Sequence, residues 1–193
     1  MINLERDVQQ LKTFLLPAGF RGRSAVIVQL WWLVQATLFR CSPQFMFGWR
    51  CWLLKLFGAQ VGRAVRIRPS VKITYPWKVA IGNHVWIGDD VVLYSLGEIE
   101  IGDNSVVSQR SYLCAASHDY TQPDFPIYQN KVFIGAQVWL ATDVFVAPGI
   151  TIGFGAVVGA RSSVFHDLPP MMVSLGSPAK PIRSRLGDDL CAS

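Results

Sequence analysis

Charge is sparse in this chain. Of its 193 residues only 16% are Asp, Glu, Lys or Arg, against 51% apolar, and the net charge is a modest +5. Such a balance tolerates an anionic partner, either a phosphorylated cofactor or a lipid surface. No motif or basic run marks a nucleic-acid binder, so none is expected as a partner. Cysteine is scarce as well. Cys41, Cys51, Cys114 and Cys191 have neither CxxC nor CxxxH spacing, which excludes a disulfide framework and predicts reduced thiols in a cytoplasmic protein. Cys114 is expected to fill space in the core. His84, His118 and His166 fall at three different places in the repeat described below, so no metal site is expected. The start lacks a basic stretch followed by an apolar core, and no secretory signal is read there. The longest apolar run, residues 25–39, is 15 long, short of the ~20 that a membrane span requires.

What is present is a period of six. Ile101, Val107 and Leu113 open three successive hexads, and Ile134, Leu140, Val146, Ile152, Val158 and Val164 open six more. The same register runs back through Ile81, Ile87 and Leu93 to Val61, Ile67 and Ile73. All fifteen openers are Val, Ile or Leu, and the fifth residue of each hexad is often small or β-branched. A helix repeats every 3.6 residues and a half-buried flat strand every two; neither fits. A six-residue period over many units predicts a parallel β-helix of about five three-sided coils, starting at 61, 81, 101, 134 and 152. One aliphatic per side points in and stacks on its equivalent in the next coil. The corners need residues that tolerate unusual backbone angles, which accounts for the Gly, Asn and Asp that follow the openers.

The interruptions share one corner. Two residues are added after Lys78, two after Glu98 and fifteen (119–133) after His118. Insertions collected on one edge of a solenoid are expected to build a binding wall. The domain reading is therefore an N-terminal helical segment (1–60), the β-helix (61–169, with the loop 119–133) and a tail (170–193). The tail leaves the hexad pattern, so 171–185 is expected to run back along the prism and the last residues to fray. In the helical segment, Ser24 is placed to cap a helix over 25–39, and a second helical pattern covers 44–57. Trp31, Trp32, Trp49 and Trp52 lie close together here, flanked by Arg21, Arg23, Arg40, Arg50 and Lys55. Two readings stay open: the helices cap the first coil, as solenoids require, or their tryptophan-rich face also lies in a membrane interface.

His118 ends its coil at the mouth of the long loop. An imidazole titrates near neutrality, so one held on a rigid scaffold beside a loop is a candidate general base.

At this point the hexads resemble those of the hexapeptide-repeat acyltransferases, the left-handed β-helix family. The residues that carry the likeness are Ala116-Ser117-His118-Asp119, Ile134-Gly135-Ala136-Gln137-Val138-Trp139, Val146-Ala147-Pro148-Gly149-Ile150-Thr151-Ile152-Gly153 and Gly176-Ser177-Pro178-Ala179. The N-terminal Gly19-Phe20-Arg21-Gly22 and Gln29-Leu30-Trp31-Trp32, with 68–78, are similar to the colanic acid biosynthesis acetyltransferases. The resemblance implies a mainly β fold, a left-handed parallel β-helix, in a homotrimer with acetyl-CoA as acyl donor between neighbouring prisms and no metal. It makes His118 the base that takes a proton from a sugar hydroxyl, with direct transfer and no acyl-enzyme. Backbone amides near Ala141 and Ala160 become candidates for the pantetheine arm or the oxyanion. Arg183, and behind it Arg185, suits the cofactor phosphates. The family's acceptor-binding asparagine falls here on Gly88 and its acidic residue near Ser95-Leu96. Asp90 and Tyr94 stand in as candidate substrate-binding residues, and the acceptor is not expected to be a simple sugar. The implied activity is O-acetylation of a sugar in an exopolysaccharide of the colanic acid type, on a lipid-linked oligosaccharide, in the cytoplasm or at the inner face of the membrane. The alternatives are N-acetylation of an amino-sugar nucleotide and a non-catalytic trimeric scaffold.

Overall fold

The computed structural model describes residues 8–187. The readings made of the first seven residues, of the terminal tail beyond 187 and of Cys191 lie outside the described residues.

Residues 61–164 wind into a three-sided prism whose faces are parallel sheets. On the first face Val61, Ile81, Ile101, Ile134 and Ile152 stack in register. On the second it is Ile67, Ile87, Val107, Leu140 and Val158, and on the third Ile73, Leu93, Leu113, Val146 and Val164. All fifteen openers are buried. The fifth residues close the interior beside them: Val65, Val85, Ser105, Val138 and Ala156 are buried too. Where serine takes that slot its hydroxyl is paired inside the prism. Ser105 donates to the Gly135 carbonyl at 2.8 Å and Ser111 to that of Ala141 at 3.0 Å.

The corners fall at the fourth residue of a hexad. Ala64, His84, Asn104 and Gln137 turn the first corner and Asp90, Arg110, Asp143 and Arg161 the second, all with φ between 55° and 64°. His84 is thus a turn residue. Residues after the opener point outward, and their size is decided face by face. On the first face all five are glycine, because the next coil crosses over them: a Cβ on Gly102 would lie 2.5 Å from the Ala136 nitrogen. On the third face the same position holds Tyr94 and Phe165. Cys114 also sits there, half-buried on the outside under the loop, with its thiol on the Ala116 carbonyl at 3.0 Å. It does not fill the interior, and burial raises its thiol pKa.

Three other expectations change. The two-residue insertions do not project as loops, and with Trp77, Lys78 and Lys131 they line a surface cleft. They lengthen the first-face strands Val79–Ile81 and Ile99–Ile101 and add a buried rung, Val79–Ile99–Val132. The helix does not stop at five coils. Leu168 bridges to Ile152, and Met172–Gly176 adds a sixth strand to the second face. Nor do the later residues run back along the prism, because Ala179–Ser184 turns antiparallel against that strand and closes the sheet edge.

The N-terminal segment closes the other end. Helix α1 (Ala25–Val34), capped by Ser24, continues through one π-helical stretch, Gln35–Phe39, and α2 spans Phe47–Leu56. The first coil has no preceding coil to satisfy its polar backbone, and the cap supplies the partners. Trp31 donates to the Ile73 carbonyl at 2.8 Å, and the Gln35 side chain accepts from the Ile73 amide at 2.6 Å. Arg50, fully buried, donates to the carbonyls of Ile67, Pro43 and Gln44 and to the Ser42 hydroxyl at 2.6–2.9 Å. The capping role therefore belongs to Trp31 and Arg50, while Trp32 and Trp52 face solvent. Among the described residues no helix is long and apolar enough to cross a membrane.

Candidate active site

The long insertion is a hairpin. Ala116–His118 leaves the third corner and pairs antiparallel with Ile127–Gln129, so that His118 faces Ile127. Asp119 shapes the tip that follows. Its carboxylate accepts from the Thr121 amide at 2.9 Å, the Thr121 hydroxyl at 2.5 Å and the Gln122 side chain at 2.7 Å. Those bonds hold the carboxyl below its ordinary pKa and commit Asp119 to the loop.

The imidazole of His118 is fixed on two sides. Its Nδ1 lies 2.8 Å from the Phe125 carbonyl oxygen. A carbonyl only accepts, so Nδ1 carries the hydrogen and the neutral ring keeps its lone pair on Nε2. Phe125 stacks on the ring, centroids 4.3 Å apart and planes 10° from parallel, and Phe14 packs at 5.8 Å. Phe14 reaches the site because the N-terminal segment lies along the loop, its Gln10 amide donating to the Pro123 carbonyl at 2.6 Å.

Lys78 locks this hairpin to the prism. Its ammonium donates to the Phe20 carbonyl at 2.8 Å, to the Leu96 carbonyl and to the Gln129 side chain at 3.3 Å, and burial lowers its pKa. Gln129 in turn donates to the Phe20 carbonyl at 3.1 Å. Sequence reasoning missed Phe14, Phe125 and Lys78. The only signal was Tyr75-Pro76-Trp77-Lys78 among the family-like segments, and the partners of Lys78 lie 18 to 58 positions away in the chain.

The other expected site residues lie elsewhere on the prism. Asp90 turns the corner between the second and third faces, its amide on the Ser70 hydroxyl at 2.9 Å, one prism edge away from the corner of His118. Tyr94 lies on the third face between them. It starts an aromatic row, Tyr94–Tyr112–Phe145–Phe165, with neighbouring centroids 5.8–6.1 Å apart. Burial, then Cys114 and Tyr94, pushes the Tyr112 hydroxyl up to about 12.

On the second face, Gly88, Ser108, Ala141 and Gly159 line up outside the prism, walled by the exposed Trp86 and Trp139. Trp139 donates to the Ser108 hydroxyl at 3.0 Å. The Ala141 amide already donates to the Val158 carbonyl at 2.9 Å, so this position offers its small side chain and not its N–H. The Ala160 amide donates to no carbonyl among the described residues. Arg183 is exposed on the closing strand, whereas Arg185 is occupied by the carbonyls of Gln137 and Gly155 at 2.6 and 2.9 Å. One chain thus holds its base at the third corner and its small-residue track on the second face. No group of three or more metal-ligating side chains gathers among the described residues.

Comparison with known proteins agrees with this architecture. Over 179 residues the chain is 59% identical to WcaF of Escherichia coli, provisionally named a colanic acid biosynthesis acetyltransferase, covering 93% of this chain and 98% of the relative. Its fold matches a hexapeptide-repeat acetyltransferase of Vibrio cholerae solved with acetyl coenzyme A (TM-score 0.76, 24% identity, 84% of this chain and 91% of that one). It also matches a galactoside acetyltransferase solved with coenzyme A (TM-score 0.70, 26% identity, 88% and 84%). No family model matches the chain. A likeness to WcaF that spans nearly the whole length of both chains makes this protein an enzyme of the hexapeptide-repeat, left-handed β-helix acetyltransferases, of the colanic acid biosynthesis type.

Proposed function

We propose that the protein transfers the acetyl group of acetyl-CoA to a sugar hydroxyl in an exopolysaccharide repeat unit, with His118 as general base. The observation that carries this reading is the Nδ1 bond to Phe125, which leaves Nε2 as the free acceptor. Nε2 takes the hydroxyl proton as the sugar oxygen attacks the thioester carbonyl. The C–O bond forms, a tetrahedral oxyanion collapses, and the C–S bond breaks. The proton then passes from the imidazolium to the departing thiolate. Direct transfer requires only that both substrates be held in line, so no acyl-enzyme is invoked. In this reading the Ala160 amide stabilises the oxyanion or the pantetheine arm, Ala141 gives the arm room and Arg183 meets the cofactor phosphates.

Because His118 sits at the third corner and the small-residue track on the second face, the protein works as a homotrimer in which one copy supplies the base and its neighbour the track. Gly88, with no side chain to bind an acceptor, and the aromatic row from Tyr94 favour an acceptor larger than a simple sugar, with Asp90 at its margin. Supplied with acetyl-CoA, the enzyme acts from the cytoplasm on a lipid-linked oligosaccharide.

Thiol release from acetyl-CoA tests the reading, with lipid-linked exopolysaccharide intermediates and amino-sugar nucleotides offered separately. His118→Ala is expected to lose about two to four orders of magnitude in turnover while still binding coenzyme A. Near-native turnover in the variant removes His118 from the chemistry. Turnover with the nucleotide sugar alone replaces O-acetylation by N-acetylation.

A further inference from the structure

The cap that seals the first coil has a second, uncovered side. Helix α1 contains no charged residue and is apolar on most of its circumference, yet only Val28 and Trp31 are buried against the rest of the molecule. Leu30 and Leu33 point the other way, and Leu33 is 61% exposed. A helix apolar nearly all round is normally covered nearly all round. Phe45, just before α2, is 79% exposed and Trp52 within α2 is 52% exposed, so the second helix also carries uncovered apolar side chains.

The stretch of chain that forms this end of the prism carries charge of one sign. Eleven of the chain's 18 Lys and Arg residues lie between positions 8 and 88, and none of its 13 Asp and Glu residues does. Arg50 and Lys78 are spent on carbonyls, and Arg68 pairs with Asp89. Arg21, Arg23, Arg40 and Lys55 are exposed at the ends of the two helices, and none meets a carboxylate among the described residues. An apolar patch with tryptophan at its border and basic residues around it matches the layers of an anionic bilayer surface, acyl chains within and phosphates outside. Face-to-face pairing with a second copy of this chain fits less well, because it would bring the same basic rim against itself.

We infer that the outer face of α1 and α2 docks on the surface of a bilayer that contains anionic phospholipid, with the first-coil end of the prism toward the lipid. The helices lie in the interface and do not cross it. This surface is independent of the acetyl-transfer chemistry and would stand if that reading failed.

Vesicle flotation tests it, with the intact protein and vesicles of phosphatidylcholine alone or mixed with phosphatidylglycerol. The protein is expected to float with the mixed vesicles only, to be released by high salt, and to show a blue-shifted tryptophan emission on binding. Arg21→Gln and Arg23→Gln are each expected to lower partitioning about fivefold. Leu33→Ser combined with Trp52→Ser is expected to abolish it while leaving the thermal unfolding transition in place, since both side chains are exposed. Absence of flotation with unchanged fluorescence overturns the inference, as does equal flotation with neutral vesicles. A fall in oligomer size in the Leu33→Ser, Trp52→Ser protein assigns the face to a second copy instead.

Discussion

His118 and Phe125 hold each other twice, by the 2.8 Å bond from Nδ1 to the carbonyl and by rings stacked at 4.3 Å. The bond sets the tautomer and the stack sets the tilt. Because the bond uses backbone, Phe125→Ala removes only the stack. An aromatic contact of about 0.5–1.5 kcal/mol corresponds to a two- to tenfold fall in kcat, with KM for acetyl-CoA unchanged. Nitrogen-15 spectra of the free enzyme are expected to show a hydrogen on Nδ1 of His118 and a bare Nε2 in both proteins. A hydrogen on Nε2 in the neutral ring would rule out the proposed base.

Arg50 is the buried charge that holds the cap. Burial depresses its pKa, and its donors satisfy three carbonyls and a hydroxyl. Arg50→Met keeps most of the volume and orphans those acceptors. A loss of about 2–4 kcal/mol is expected by denaturant unfolding, the range for stripping several buried acceptors at once. Unchanged stability would mean that the cap is held by its apolar contacts alone.

The glycine column of the first face makes a second stability prediction. A methyl group at Gly102 would sit 2.5 Å from the Ala136 nitrogen and 2.7 Å from the Gly135 carbonyl carbon, and both are backbone that cannot turn aside. Gly102→Ala is expected to cost about 1–3 kcal/mol, measured by thermal or denaturant unfolding. A methyl group at Gly48, within α2, would meet nothing within 4 Å, so Gly48→Ala serves as the harmless control.

Tyr112 predicts a pH dependence. Its hydroxyl, ordinarily near 10, is pushed up to about 12. Between those values the folded chain keeps a proton that the unfolded chain has lost. The contribution is complete below pH 10 and disappears as pH rises toward 12. Tyr112→Phe is expected to flatten the fall in unfolding free energy across that window. Parallel curves for the two proteins would mean that the phenol is not kept from ionising by the fold.

The repeat was legible because a solenoid is a local code. Each opener stacks on its equivalent one coil away, so the sequence carries the rung pattern at a fixed spacing, and all fifteen openers are buried. Ser24 and the two helical patterns were likewise local, as was the histidine at the mouth of the loop. Cys114 was misplaced because alternation says inside or outside only once the corners are known, and the corners lie at the fourth residue of the hexads, as at His84 and Asp90.

By itself the sequence determined the prism, its register and the edge that carries the long insertion, since six-residue spacing is enough to say that the openers point inward. Only the tertiary structure decided what stands around His118. Phe14, Phe125 and Lys78 come from segments with no common period and meet through the hairpin and the N-terminal segment. Their contacts are long-range, and no spacing along the chain encodes them.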